Sequence, residues 1–169
     1  MTLLRATLGA IALLMAAVPA GAAARQADAI SHSKRLWATV NVCDTVGHPD
    51  SIGIRGSMPG DGQKGELMFM RFQVQLFDAD DARWHTLAGA DSGFAKVGSA
   101  RKARQSGNTF TITPPRAGVA PYLLRGAVVF EWRDGDEVVR HLRRATTAEH
   151  PDTTGSDPAG FTSATCTIT

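Results

Sequence analysis

The sequence predicts an all-β sandwich, and three observations predict it. Apolar and polar residues alternate with period two in most segments after residue 35. Gly, Pro and Asp interrupt these segments at short intervals, and no stretch has convincing helical spacing. Strands of that length and spacing close into a sandwich, with an up-and-down barrel as the alternative.

The elements follow in order. In residues 36–43, Leu36, Ala38, Val40 and Val42 alternate with Trp37, Thr39, Asn41 and Cys43, the pattern of a first strand. Gly47-His48-Pro49-Asp50 supplies a turn, and residues 51–58 read as a second strand. Pro59-Gly60-Asp61-Gly62 opens a loop. Residues 66–77 carry the strongest pattern, with Met68, Met70, Phe72, Val74 and Leu76 on one face and Phe69, Arg71, Gln73 and Gln75 on the other. Asp78, Asp80 and Asp81 mark the next turn, before a short strand at 83–87. Residues 88–105 are rich in Gly, Ala and Ser, with one short strand expected at 94–97. Further strands are expected at 108–113, 122–133 and 136–145, the last two joined by an Asp134-Gly135 hairpin turn. A polar loop over 146–160 leads to a final strand at 161–168.

The first residues carry a different message. Arg5 precedes an apolar run from Ala6 to Val18, then Pro19 and the small residues Ala20-Gly21-Ala22-Ala23-Ala24. That order predicts a secretory signal over residues 1–24, cleaved after Ala22 or Ala24, and the run is short for a membrane anchor. Residues 25–35 are expected to be a mobile arm, and residues 36–169 one domain with an extracellular or cell-envelope location. Removing the signal deletes Arg5 and takes the formal charge from +2 to +1. A near-neutral chain argues against nucleic-acid binding, which needs a strongly basic face. Abundant Ala, Gly and Arg with little Lys is the bias of GC-rich bacterial coding.

Cys43 and Cys166 are the two cysteines. In an oxidising compartment they are expected to pair, tying the first strand to the last.

Val74-Gln75-Leu76, Arg83-Trp84-His85-Thr86-Leu87, Gly107-Asn108-Thr109-Phe110-Thr111 and Pro121-Tyr122-Leu123-Leu124-Arg125-Gly126 resemble immunoglobulin-like and fibronectin-III-like modules of secreted bacterial proteins. The resemblance implies an immunoglobulin-like antiparallel sandwich. It departs from antibody domains, because both cysteines sit on outermost strands. The whole chain also resembles small exported bacterial proteins with no assigned activity. A sandwich by itself implies no chemistry.

Asp91-Ser92-Gly93 is similar to a serine-protease element, but Phe94 stands where that family has a second Gly, so a turn is the expected reading. His48-Pro49-Asp50 and His150-Pro151-Asp152 could offer metal ligands, yet His-Pro-Asp is ordinary turn chemistry. Asp78, Asp80 and Asp81 fall short of a calcium loop. Arg140, His141, Arg143 and Arg144, and separately Arg101, Lys102 and Arg104, form basic clusters that could meet an anionic polymer. Trp37, Trp84, Trp132 and Tyr122 could stack on a sugar if they shared an exposed face. No catalytic residue, cofactor or metal is expected. The sequence points to a non-catalytic module for binding, adhesion or cell-envelope interaction with a protein or glycan. The alternatives are a small hydrolase with a loop-built site, or a protease inhibitor using residues 58–65.

Overall fold

The computed structural model describes residues 28–150 and 153–169. The expected signal segment and part of the expected arm lie outside them. Eight strands are present among the described residues: β1 (Trp37–Thr45), β2 (His48–Met58), β3 (Leu67–Asp78), β4 (Arg83–Ser99), β5 (Arg104–Thr111), β6 (Tyr122–Asp134), β7 (Glu137–Ala145) and β8 (Cys166–Ile168). They form two antiparallel sheets, one ordered β1-β2-β5 and one ordered β4-β3-β6-β7, with β8 also on β6. The fold is a β-sandwich, as the alternation predicts.

The core is where the two inner faces meet. Met68, Met70, Phe72 and Val74 of β3 and Leu124, Val128, Phe130 and Trp132 of β6 face Ala38, Val40, Ile52, Ile54 and Met58 of the smaller sheet, all buried. Each large side chain removed from water in this way stabilises the fold by about 1.5–3 kcal/mol. Gly126 lets the sheets approach. A Cβ there would lie 2.6 Å from Thr146 and 2.8 Å from Ile54, so any larger residue would overpack the interface.

Several boundaries move. The first turn is Val46-Gly47, because Thr45 pairs with His48 and β2 begins there. Asp134 pairs with Glu137, so the later hairpin turns on Gly135-Asp136, with Gly135 at φ 57°. The strand expected at 83–87 and the one expected at 94–97 are a single strand, β4, running through the Gly-rich stretch. Alternation fails there because β4 is bulged: residues 87–90 oppose only Val74 of β3, and Gly89 and Gly93 take φ 79° and 65°. β5 starts four residues earlier than expected.

The last strand is shorter than expected because its first part serves the other sheet. Ser163 exchanges two backbone hydrogen bonds with Val40 of β1, at 2.9 and 3.0 Å. The Thr147 N–H donates to Ala38 O and that of Asp157 to Asn41 O. Thr147, Asp157 and Ser163 thereby cover the open edge of β1, and β8 then takes up the flank of β6 where β7 leaves it. Cys43 of β1 and Cys166 of β8 are joined by a disulfide between the sheets. At the other end of the chain, residues 28–31 form one helical turn and Ile30 is buried in the core, ahead of the domain start expected at 36.

Candidate binding face and groove

The pleat sorts the larger sheet into two faces. With Met68, Met70, Phe72 and Val74 inside, Phe69, Arg71, Gln73, Gln75 and Phe77 face out. The register places their neighbours in rows: Lys96–Phe69–Glu131–His141, Phe94–Arg71–Val129–Arg143, Asp91–Gln73–Ala127–Ala145 and Thr86–Gln75–Arg125. Five cations and two carboxylates share this face: Lys96, Arg71, Arg125, Arg133 and Arg143 against Asp91 and Glu131. The whole chain carries a formal charge of only +2, so the face concentrates its positive charge.

Two of these arginines are neutralised. Arg71 forks onto Asp91, whose carboxylate also accepts Gln73 Nε2 and the Gly93 N–H, both at 2.9 Å. The Arg71 guanidinium, foremost among these partners, holds the Asp91 carboxyl well below the usual carboxylate range. Arg133 pairs with Glu131 and lies over Phe69 and Phe94, 4.2 and 4.9 Å from the ring centroids.

The other two are not neutralised. Arg125 donates through Nε to Gln75 Oε1 at 2.9 Å and stacks 4.3 Å over Trp84. Burial lowers its pKa, and the charge of Arg143 lowers it further. Among the described residues neither Arg125 nor Arg143 has a carboxylate within ion-pair distance. Between them the floor is Ala127, fully buried. Arg143 adds to the cost of charging Arg125, which a buried amide and an indole hold in place, and a pair of guanidiniums so arranged can receive an anion.

A groove of about 620 Å³ opens between β4 and β5 on the side of the sandwich away from the disulfide. Leu76, Leu87, Phe110, Ile112 and Tyr122 line it, together with Thr109, Thr111 and Thr113. The bulge at 87–90 forms one wall.

A carboxyl pair closes one end of the core. Asp61 is 1 % exposed at its side chain and pairs with Arg140 at 3.1 Å, and Arg140 lies over the Trp132 ring. Glu66 hydrogen-bonds Asp61, and its Oε2 is buried without a partner. Burial, then Asp61, pushes the Glu66 carboxyl up to about 7. A pair sharing a proton can do acid–base work, but Asp61 is sealed from substrate. Here it anchors the loop at 59–66, part of which was the candidate inhibitory segment.

The remaining sequence candidates are dispersed. The Ser92 hydroxyl accepts the Phe72 N–H at 2.9 Å and donates to Gly93 O at 2.7 Å, locking a bulge rather than forming a turn. His48 pairs with Asp157 at one end of β1, while His150 stacks on Trp37 at the other, 4.6 Å between centroids. Pro151 and Asp152 lie outside the described residues. Asp157 is held below its ordinary value by Thr45 first and then His48, and burial lowers His150. Asp78, Asp81 and His85 come within 4.8 Å of one another but are exposed, and Asp78 and Asp81 already serve turn N–H groups. His85 escaped sequence reasoning because only the hairpin brings it back over Asp81.

Strand alternation splits the basic cluster on β7. Arg140 faces in to Asp61, Arg143 faces out, and Arg144 donates to Ser31 O. The aromatic row also dissolves: Trp132 is in the core, Trp84 lies under Arg125, and Tyr122 lines the groove. Of Gln75, Trp84, Arg125 and Arg143, the sequence singles out Trp84 for stacking on a sugar and Arg143 as part of a basic cluster that could meet an anionic polymer; Arg125 and Gln75 give no local signal. No family model and no curated protein matches this sequence. Among the described residues no helix is long and apolar enough to cross a membrane.

Proposed function

We propose that this chain is an exported, non-catalytic binding module that holds an acidic polysaccharide on the outer face of its larger sheet. One observation carries the reading. Among the described residues, Arg125 and Arg143 stand without carboxylate partners on a face where the other arginines, Arg71 and Arg133, are ion-paired. A row of spaced carboxylates or sulfates on a polymer supplies what that face lacks, and Gln73 and Thr86 add neutral hydrogen-bonding groups. Export is supported by the disulfide and by the positive–apolar–small order of residues 1–24. An immunoglobulin-like type is supported by strand order: the first, second and fifth strands face the third, sixth and seventh, with the fourth beside the third.

The test uses purified protein on polygalacturonate and dextran sulfate, with neutral dextran as control. Binding to both acidic polymers is expected, weakening as salt rises because exposed charges are screened. Arg125→Gln with Arg143→Gln should weaken it about ten-fold or more, while Arg101→Gln with Lys102→Gln should not. Equal binding by the first variant, or equal binding to neutral dextran, would reject the reading.

A further inference from the structure

With Ile52, Ile54 and Met58 turned into the core, Gly53, Arg55 and Ser57 of β2 lie on the outer face of the smaller sheet. Arg55 stands in a row between Thr39 of β1 and Gly107 of β5. It is half-buried, and its Nε is buried with no hydrogen-bond partner. Among the described residues it makes no ion pair. Burial lowers its pKa. A guanidinium withdrawn from water in this way costs stability until an acceptor meets it. Beside it lies a pocket of about 260 Å³, walled by Asn41, Arg55, Gly107, Asn108, Thr109 and Gly155. Two close approaches shape it. A Cβ at Gly107 would lie 3.2 Å from Arg55 Cδ and 2.9 Å from Ile54 O, and one at Gly53 would lie 2.9 Å from Asn41 Oδ1. Glycine at both positions lets the Arg55 and Asn41 side chains lie close over the sheet. Asn41 Nδ2 donates to Gly155 O at 2.8 Å, which fixes the rim on the β1 side.

We propose that this pocket binds a small polyhydroxylated carboxylate, of sugar-acid size, with its carboxylate on Arg55. A carboxylate is the planar acceptor that a guanidinium fork matches. The size follows from the volume, which equals the share of about nine water molecules in the liquid. The hydroxyls follow from the walls: glycine backbone, Asn41, Asn108 and Thr109 are groups that donate to and accept from them. Ile54 also borders the pocket, but its side chain is fully buried in the core. A fatty acid of similar size therefore finds no apolar wall. The pocket lies on the smaller sheet, on the opposite side of the sandwich from Arg125 and Arg143, and neither proposal depends on the other.

The test titrates the protein with glucuronate and follows the Nε–H resonance of Arg55 together with the melting temperature. Glucuronate is expected to shift that resonance and to raise the melting temperature. Glucose lacks the carboxylate and hexanoate lacks the hydroxyls, and each should bind about ten-fold more weakly or worse. Arg55→Gln should abolish the rise in melting temperature, and Arg55→Lys, which keeps the charge without the fork, should bind about ten-fold more weakly. Arg125→Gln with Arg143→Gln should respond like the parent. Without ligand, Arg55→Gln should melt no lower than the parent, because it removes an uncompensated charge. Should it melt lower through lost packing of the stem, Arg55→Met carries the same comparison. An unmoved Arg55 resonance, equal binding of glucose or of hexanoate, or an undiminished response in both Arg55→Gln and Arg55→Met would each overturn the proposal. So would loss of the response in the Arg125 and Arg143 double variant, since that places the sugar acid on the larger sheet.

Discussion

Glu66 shows how one side chain couples the end of the core to pH. Folded, it keeps its proton up to about 7; unfolded, it releases it near the ordinary value of 4.5. Between those values the native state binds more protons than the unfolded chain, so stability falls as pH rises through that window and levels off above it. Asp61 and Asp134 raise the cost of ionising Glu66, and Arg140 lowers it. With partial solvent exposure the effect should be about 1–2 kcal/mol. Glu66→Gln stays neutral and still donates to Asp61. It is therefore expected to flatten the slope, matching the parent near pH 4 and exceeding its stability at pH 8 in urea unfolding. A slope unchanged in the variant would remove Glu66 as its source.

At the scale of elements, the segment after β7 does the most. Thr146 pins its start. The hydroxyl accepts the Gly126 N–H at 3.0 Å and donates to Ala164 O at 2.6 Å, joining β6 to the two ends of the loop. Thr146→Val keeps the shape and leaves that buried N–H without its side-chain acceptor, at a cost of about 1–3 kcal/mol. Amide exchange at Val40 and Ser163 should quicken in the variant, while amides of β3 stay protected. Uniform acceleration across both sheets would point to global destabilisation instead. β4 makes the complementary point. Its bulges hold it over the gap between the sheets, and the groove exists because that strand does not follow β3 closely.

At the scale of the molecule, the disulfide closes a loop spanning 123 residues and fastens one sheet to the other. In the chain-entropy model such a loop contributes about 4–5 kcal/mol by restricting the unfolded chain. Replacing both Cys43 and Cys166 with Ser should lower stability by a large part of that and lower the melting temperature by tens of degrees at most. Intact mass should show no free thiol before reduction. Two alkylatable thiols in the native protein would contradict the bridge.

The sandwich, its core residues and the cysteine pair were legible from the sequence because each rests on a local or forced signal. Period-two alternation assigns Met68, Met70, Phe72 and Val74 to one face whatever they pack against, and two cysteines allow one intramolecular pairing. Partnership was decided only by the tertiary structure. Arg140, Arg143 and Arg144 look like one patch along the chain, yet the pleat and three different neighbours send them to an acid pair, an open face and a backbone carbonyl. The proposed anion seat joins Gln75, Trp84, Arg125 and Arg143 from four strands, and the groove joins a bulge to an edge. No periodicity records such meetings, because they are set by sheet register and by how two twisted sheets stack.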